Sequence, residues 1–310
     1  GITKSMGLAM IGFADALAEL QPDLLLVLGD RFESFSAASA ALIARIPIAH
    51  CHGGELTEGA FDDALRHSMT KMAHLHFVAA EEYQHRVIQL GEHPDRVFLV
   101  GGLGVDAIMR LKLLNREELE ASLDFKLGPR NLLITFHPVT LERNTSAHQM
   151  SELLAALDEL DDTHLIFTMP NADTDGRVLI QIIQEFCASR PHAKAFTSLG
   201  QLRYFSCIQF VDGVVGNSSS GLAEVPSFKK GTVNIGQRQK GRVQAESVIT
   251  CEATKNAIKA SLSTLLSESF QNKLLSSFNP YGKSGASAQI VQILSSIDWL
   301  ELAPKTFFKA

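Results

Sequence analysis

Cysteine is scarce and scattered in this chain of 310 residues: Cys51, Cys187, Cys207 and Cys251 form no C-x-x-C pair. Isolated cysteines on apolar segments are the reduced core residues of a cytosolic protein more often than disulfide partners or redox motifs, so a cytoplasmic location is expected. Long basic runs are absent too, and with a formal net charge of −6 the composition argues against a nucleic-acid binder. No apolar stretch approaches ~18 residues without a charge, so membrane insertion lacks support. Short-period repeats and low-complexity segments are also missing. What remains, 45% hydrophobic and 20% charged, is the make-up of a soluble globular protein long enough for two domains.

Strand-like and helix-like runs alternate along the chain, the mark of parallel sheets with crossover helices. Helices are predicted over 2–20, 34–44, 59–72, 81–90 and 103–123, and strands over 24–28, 46–50, 75–79 and 97–100. Gly128-Pro129 then punctuates the sequence. It sets the expected domain boundary, 1–128 and 129–310, with the last helices packing back on the first domain. Beyond it strands are predicted over 131–136, 164–168, 193–196, 208–215 and 232–235, and helices over 146–160 and 175–187. One more helix opens among the serines after Gly216, and others follow from 253 onward. Doubly wound domains usually open on a strand, whereas this chain opens on a helix, so the first domain is expected to lack an opening βαβ unit.

The polar residues gather at predicted strand ends, where open α/β sheets bind ligands. In V-V-G-N-S-S-S-G-L-A-E, residues 214–224, a strand stops at Gly216 and a helix opens on Ser218, Ser219 and Ser220. Helix-start N–H groups and serine hydroxyls suit an anion, and Glu224, one turn on, suits sugar hydroxyls. The same residues also read as the serine cap of an ordinary helix. Gly29 to Glu33 offers Asp30 as a carboxylate and Arg31 as a phosphate fork, or else a cap and a solvated arginine. His50-Cys51-His52-Gly53-Gly54-Glu55 ends the next strand and Asp62-Asp63-Ala64-Leu65-Arg66-His67 follows on a helix. There the i,i+4 spacing pairs Asp62 with Arg66 and Asp63 with His67, an acid–base network. A metal site is disfavoured, since His50 and His52 alternate on a strand and no H-E-x-x-H occurs. His137 in Thr135 to Pro138, Asn171 and Asp173 in Met169 to Asp173, and the basic loop Asn234 to Arg242 complete the set. Gly102 to Ala107 matches G-x-G-x-x-A, but no closing strand with an acid follows it, so a dinucleotide site is not expected.

Together these pieces resemble the UDP-N-acetylglucosamine 2-epimerase family, and in particular its hydrolysing branch in sialic acid and related nonulosonate synthesis. The matching segments are G-D-R-F-E at 29–33, H-C-H-G-G-E-L-T-E-G-A-F-D-D at 50–63 and R-H-S-M-T-K at 66–71. F-H-P at 136–138, P-N-A-D at 170–173, G-N-S-S-S-G-L-A-E at 216–224 and N-I-G-Q-R-Q-K-G-R at 234–242 follow in the family's order. The resemblance implies α/β architecture with two Rossmann-like domains facing across a cleft, as in glycosyltransferases of the B type. It implies that Ser218 and Ser219 bind the diphosphate and Glu224 the ribose, with Arg238 and Asn171 as further nucleotide contacts. It also implies that Arg31 and His137 reach the diphosphate or the departing oxygen from either side, while Asp30 and Asp62 are the essential acids. Ser220, Arg66 and Asp173 join the expected substrate-binding set, and His52 and Glu55 the catalytic one. The implied reaction is C2 deprotonation, anti expulsion of UDP and addition of water to the glycal, giving N-acetylmannosamine or a diacetamido analogue. No cofactor and no metal are implied, and the implied assembly is a homodimer. Relatives carry a glutamate where this chain has His52, so the role falls to His52 or to Glu55, three residues on. The opening strand and its G-T-R turn are not among the matching segments. An inactive nucleotide-sugar-binding remnant and a glycosyltransferase of the same fold remain as alternatives.

Overall fold

The computed structural model describes residues 1–58, 61–138, 145–170, 176–282, 284–298, 302 and 305–309. The chain divides into two compact units. The first comprises Gly1–Thr57, Phe61–Asp106 and Tyr281–Ala310, the second Glu58–Ala60 and Ala107–Pro280. The expected break at Gly128 falls within the second unit, because Leu119, Leu123 and Leu127 are buried together with Leu133, Ile166 and Phe205.

In chain order the first unit carries α1 (Ile2–Leu20), β1 (Leu25–Leu28), α2 (Phe32–Ile43), β2 (Ile48–Cys51), α3 (Asp62–Met72), β3 (Leu75–Val78), α4 (Glu81–Gln89) and β4 (Val97–Leu99). Its four strands are all parallel and lie in the order β1-β2-β3-β4. A sheet that grows in one direction through right-handed crossovers collects its helices on one face. Accordingly Val27 and Ile48 pack with Ala38 and Ala41 of α2 and Met69 of α3. The other face would be left bare. Ala49, Cys51, Leu75 and Phe77, one residue out of phase along the same strands, are covered instead by Ala286 and Ile290 of the late helix α13 (Ala286–Ser296), numbered here by its place in the chain. Asp106 fixes that helix: its carboxylate accepts from the Gly285 N–H (2.6 Å), the Ser287 N–H (3.3 Å) and the Ser287 hydroxyl. Gly102 and Gly104 lie at the start of the helix that follows the last strand of this sheet.

Between these parts run α5 (Leu103–Arg110), α6 (Arg116–Leu123), β5 (Arg130–Thr135), α7 (Ser146–Leu157), β6 (Thr163–Thr168), α8 (Gly176–Ala188) and β7 (Ala193–Phe196). Then come α9 (Gly200–Phe210), β8 (Gly213–Gly216), α10 (Ser220–Ala223), β9 (Gly231–Ile235), β10 (Val248–Cys251), α11 (Lys255–Leu265) and α12 (Glu268–Leu274). The second sheet is parallel in the order β10-β9-β8-β5-β6-β7. That is the doubly wound order, and its switch point lies between β5 and β8. Helices cover both faces: Leu132 and Ile134 meet residues of α7, α8 and α11, while Leu133 faces α6 and α9.

Three sequence expectations are corrected here. The helix expected over 103–123 is two helices, because Asn115 accepts from the Glu118 N–H and Glu118 reaches back to the Asn115 N–H, a capping box that starts α6 afresh. The strand expected from Ile208 begins at Gly213, since Ile208 to Phe210 end α9; a buried helix end and a buried strand are equally apolar. Finally, the strand β10 was not expected before the terminal helices, and its short, partly exposed segment gives little periodic signal.

One buried charge cluster in the first unit had no sequence signature. Glu92, 3% exposed in its side chain, takes hydrogen bonds from His76 (3.0 Å), Lys305 (2.7 Å) and Lys71. Lys305 also donates to the carbonyls of Thr70 (3.1 Å), Lys71 (2.7 Å) and Ala73 (2.6 Å), closing the C-terminus of α3. Burial pushes the Glu92 carboxyl up, but the bonds from His76, Lys305 and Lys71 outweigh it and hold it at about 2. Because that value lies below the ordinary 4.5, the stabilisation is fully present above pH 4.5 and is lost as pH falls toward 2. Glu92→Gln should therefore cost up to about 3 kcal/mol at pH 7, and much less near pH 2.5, when urea unfolding is compared with the parent. An equal cost at both pH values would remove the ionised carboxylate from the account.

Candidate active site

The C-terminal ends of β1 and β2 carry the first set of side chains. After β2 the chain turns through His52 at φ 64° and Gly54 at φ 78°. A side chain at Gly54 would collide with the Tyr83 carbonyl, so the turn sits tightly on α4. This turn sends Glu55 inward, where it is 4% exposed. The His52 Nδ1–H donates to the Glu55 carboxylate (2.7 Å), and His52 Nε2 accepts from the Leu103 N–H (3.3 Å). Both ring nitrogens are thus occupied and the tautomer is set.

Arg66, on α3, is 1% exposed. Its Nη1 donates to the Glu55 carbonyl (2.8 Å) and Asp63 (3.1 Å), and its Nη2 to Thr57 Oγ1 (3.0 Å) and the Asp30 carboxylate. Its terminal donors gather Asp30, Glu55, Thr57 and Asp63 around one guanidinium. The Asp63–His67 pair expected from the i,i+4 spacing is present. Asp63 lies against both Arg66 and His67 and accepts from the Thr57 N–H (2.6 Å). Asp62, half-buried, is the first residue of α3. Arg31, at the N-cap of α2, grips Glu33 through two bonds of 2.9 and 3.0 Å. His50 is a core residue: its Nε2–H donates to the Gly29 carbonyl (2.8 Å), and burial pushes its imidazole down to about 3. Among the described residues no group of three or more His, Cys, Asp or Glu could hold a metal ion.

The second set lies at the switch point of the second sheet, where β5 gives Thr135 to His137 and β8 gives Gly216 to Ser220. The helix expected after the serines is a single turn, Ser220–Ala223, so the dipole at its start is small. Ser218 and Ser219 stand in the turn, the buried Ser220 hydroxyl has no hydrogen-bond partner among the described residues, and Glu224 is the C-cap. The Tyr204 hydroxyl, which no motif singled out, is buried near Ser220 and Thr135 without a well-formed bond to either. Thr135 and Thr168 share a 2.6 Å hydroxyl contact at the ends of β5 and β6. Arg238 Nη1 (3.0 Å) and Gln239 Nε2 (2.8 Å) both donate to the Asn217 carbonyl. Burial, with the Arg238 charge nearby, pushes the His137 imidazole down to about 4, so it is neutral at pH 7. Asn171 and Asp173 lie outside the described residues. Asn217 and Gln239 were missed as individuals, although both fall within the matching segments; an amide at a strand end has no periodic signal.

A sequence model of the UDP-N-acetylglucosamine 2-epimerase family matches residues 1–295. The chain is 45% identical over 252 residues to a GDP/UDP-N,N'-diacetylbacillosamine 2-epimerase (hydrolyzing) of Campylobacter jejuni, a match covering 81% of this chain and 66% of the relative. It is 42% identical over 294 residues to the polysialic acid biosynthesis protein P7 of Escherichia coli, 94% of this chain and 75% of the relative. The chain thus spans 66 to 75% of the length of these two curated relatives. Among solved structures, the UDP-GlcNAc 2-epimerase from Neisseria meningitidis bound to UDP-GlcNAc aligns with a TM-score of 0.82 at 18% identity. That alignment covers 96% of this chain and 82% of the other, and at such identity it shows the fold alone.

Proposed function

The chain belongs to the UDP-N-acetylglucosamine 2-epimerase family, and from that premise we infer that it is a hydrolysing nucleotide-sugar 2-epimerase. The observation that carries the reading is the position of the motif residues: in each sheet they stand at the C-terminal ends of the strands. The second unit holds the nucleotide. Ser218, Ser219 and Ser220 donate to the diphosphate, Glu224 accepts from the ribose hydroxyls, and Arg238 and Asn171 add nucleotide contacts, with Asp173 beside them. Neutral His137 offers an N–H to the departing oxygen, where negative charge develops as UDP leaves.

The first unit moves protons. Glu55 takes the C2 hydrogen as a proton, with His52 holding its carboxylate in place. The electron pair left at C2 forms the C1=C2 bond as the C1–O bond to UDP breaks on the opposite side. Water then adds across the double bond: its hydroxyl goes to C1, and its proton is relayed to the other face of C2 by the acid set that includes Asp30 and Asp62. Arg31 would turn from Glu33 to the diphosphate. The products are UDP and free N-acetylmannosamine or its diacetamido analogue. The relative at 45% identity is named for a GDP- or UDP-linked diacetamido sugar, which supports testing both sugars and both carriers. In this reading the protein is a homodimer, as the family resemblance implies, and cytoplasmic, as its isolated cysteines suggest.

The test is incubation with UDP-N-acetylglucosamine or UDP-N,N'-diacetylbacillosamine in deuterium oxide. UDP release with one deuterium at C2 of the product is expected. Release without exchange at C2 would sink the elimination route, and sugar passed to an acceptor would select a transferase.

A further inference from the structure

The ladder between β5 and β8 ends at the pair Thr135 and Gly216. Two residues beyond Thr135, the peptide of His137 has left the sheet, and a partly buried peptide needs partners for its N–H and C=O. The side chain of Asn217 supplies both. Its Oδ1 accepts from the His137 N–H (2.7 Å), and its Nδ2 donates to the His137 carbonyl (2.8 Å). An amide is suited to this because it presents one acceptor and one donor side by side, as a neighbouring strand would. The backbone of Asn217 is equally engaged. Its N–H donates to the Thr135 carbonyl (3.1 Å), and its carbonyl takes Arg238 (3.0 Å) and Gln239 (2.8 Å). Asn217 has no exposed surface. The next residue, Ser218, opens the serine turn.

We propose that Asn217 is the positioning residue of the second unit: by locking the His137 peptide to the start of the serine turn and to the Arg238 loop, it sets the imidazole at the height where the leaving oxygen of a bound diphosphate lies. The assignment rests on the proposed epimerase reading for its chemistry, and on the hydrogen bonds alone for its geometry. Asn217 touches no reacting atom. It acts through His137, whose Cα–Cβ direction is fixed by the clamped peptide. A carboxylate in the same place keeps the acceptor for the His137 N–H but turns its second oxygen against the His137 carbonyl, so one side of the lock opens. It also brings negative charge toward an imidazole that Arg238 and burial hold neutral.

The experiment compares the parent with Asn217→Asp and Asn217→Ser, the latter keeping a small hydroxyl so that one folded variant is in hand if the other is not. Histidine-selective NMR follows the His137 ring, assigned with His137→Asn, across pH. Calorimetry follows UDP binding, and UDP release gives kcat and KM. Both variants should bind UDP within about threefold of the parent while kcat falls by at least ~30-fold. The His137 titration should rise by about one pH unit in Asn217→Asp. A parallel loss of UDP binding and kcat, with the His137 signal unmoved, would reduce Asn217 to a general support of the loop and overturn the proposal. So would unchanged kcat. If the parent releases no UDP from any nucleotide sugar, the epimerase reading fails by itself, and the His137 signal in the two variants still decides whether Asn217 sets that ring.

Discussion

Glu55→Gln should lower the rate of UDP release, and of deuterium entry at C2, by roughly 1,000-fold, within the range ascribed to one general base. The substitution preserves shape and removes only the basic oxygen. Its effect should fall on kcat, because the carboxylate is held before any sugar arrives: by the His52 N–H at 2.7 Å, by the tight turn through Gly54, and by Arg66 on the Glu55 carbonyl at 2.8 Å. UDP affinity should change by less than about threefold, since the nucleotide set belongs to the second unit. His52→Asn is the companion variant. It retains an N–H for Glu55, and since both nitrogens of His52 are already occupied it should cost under roughly 100-fold, through misplacement of the carboxylate. The reverse ranking would make His52 the proton carrier. Retention of C2 exchange within about tenfold in Glu55→Gln would move the base to Asp30 or Asp62.

Gly216→Ala should have the largest effect on stability. Gly216 closes β8 at φ 137°, a conformation that residues with a Cβ rarely adopt. A Cβ there would also fall on the Thr135 carbonyl oxygen, the same oxygen that accepts the Asn217 N–H. Strain and collision act together at the switch point, and neither can relax without parting β5 from β8. The expected cost exceeds about 3 kcal/mol, a fall of roughly 6 °C or more in Tm for a unit of this size. Calorimetric melting measures it directly. A variant that melts within about 2 °C of the parent would mean that β8 does not end in this geometry.

The fold class was legible because parallel strands buried on both faces read as short apolar runs, and Leu132–Ile134 and Leu75–Val78 are such runs. The same property misled at Ile208, where a helix end is as apolar as a strand, and β10 was too short and too exposed to register. Of the site, the sequence marked Asp30, His52, Glu55, Asp62, His137 and the serines, since each follows a strand or opens a helix. For Arg66 the i,i+4 spacing suggested an acid–base pair with Asp62 and gave no sign of its longer reach. In the structure that guanidinium is buried and reaches Asp30, 36 residues away.

Periodicity and turn residues act over a few positions, so the chain by itself determined the alternation of strands and helices, the polar clusters at strand ends and the likeness to a family. Which carboxylates share Arg66, why His137 is neutral and what steadies its peptide were decided only by folding. Asn217 and His137 are 80 residues apart in sequence, and their two bonds exist because β5 and β8 become neighbours when the sheet switches direction. Desolvation and pairing depend on what lies within a few ångströms in space, and no local pattern of residues encodes that.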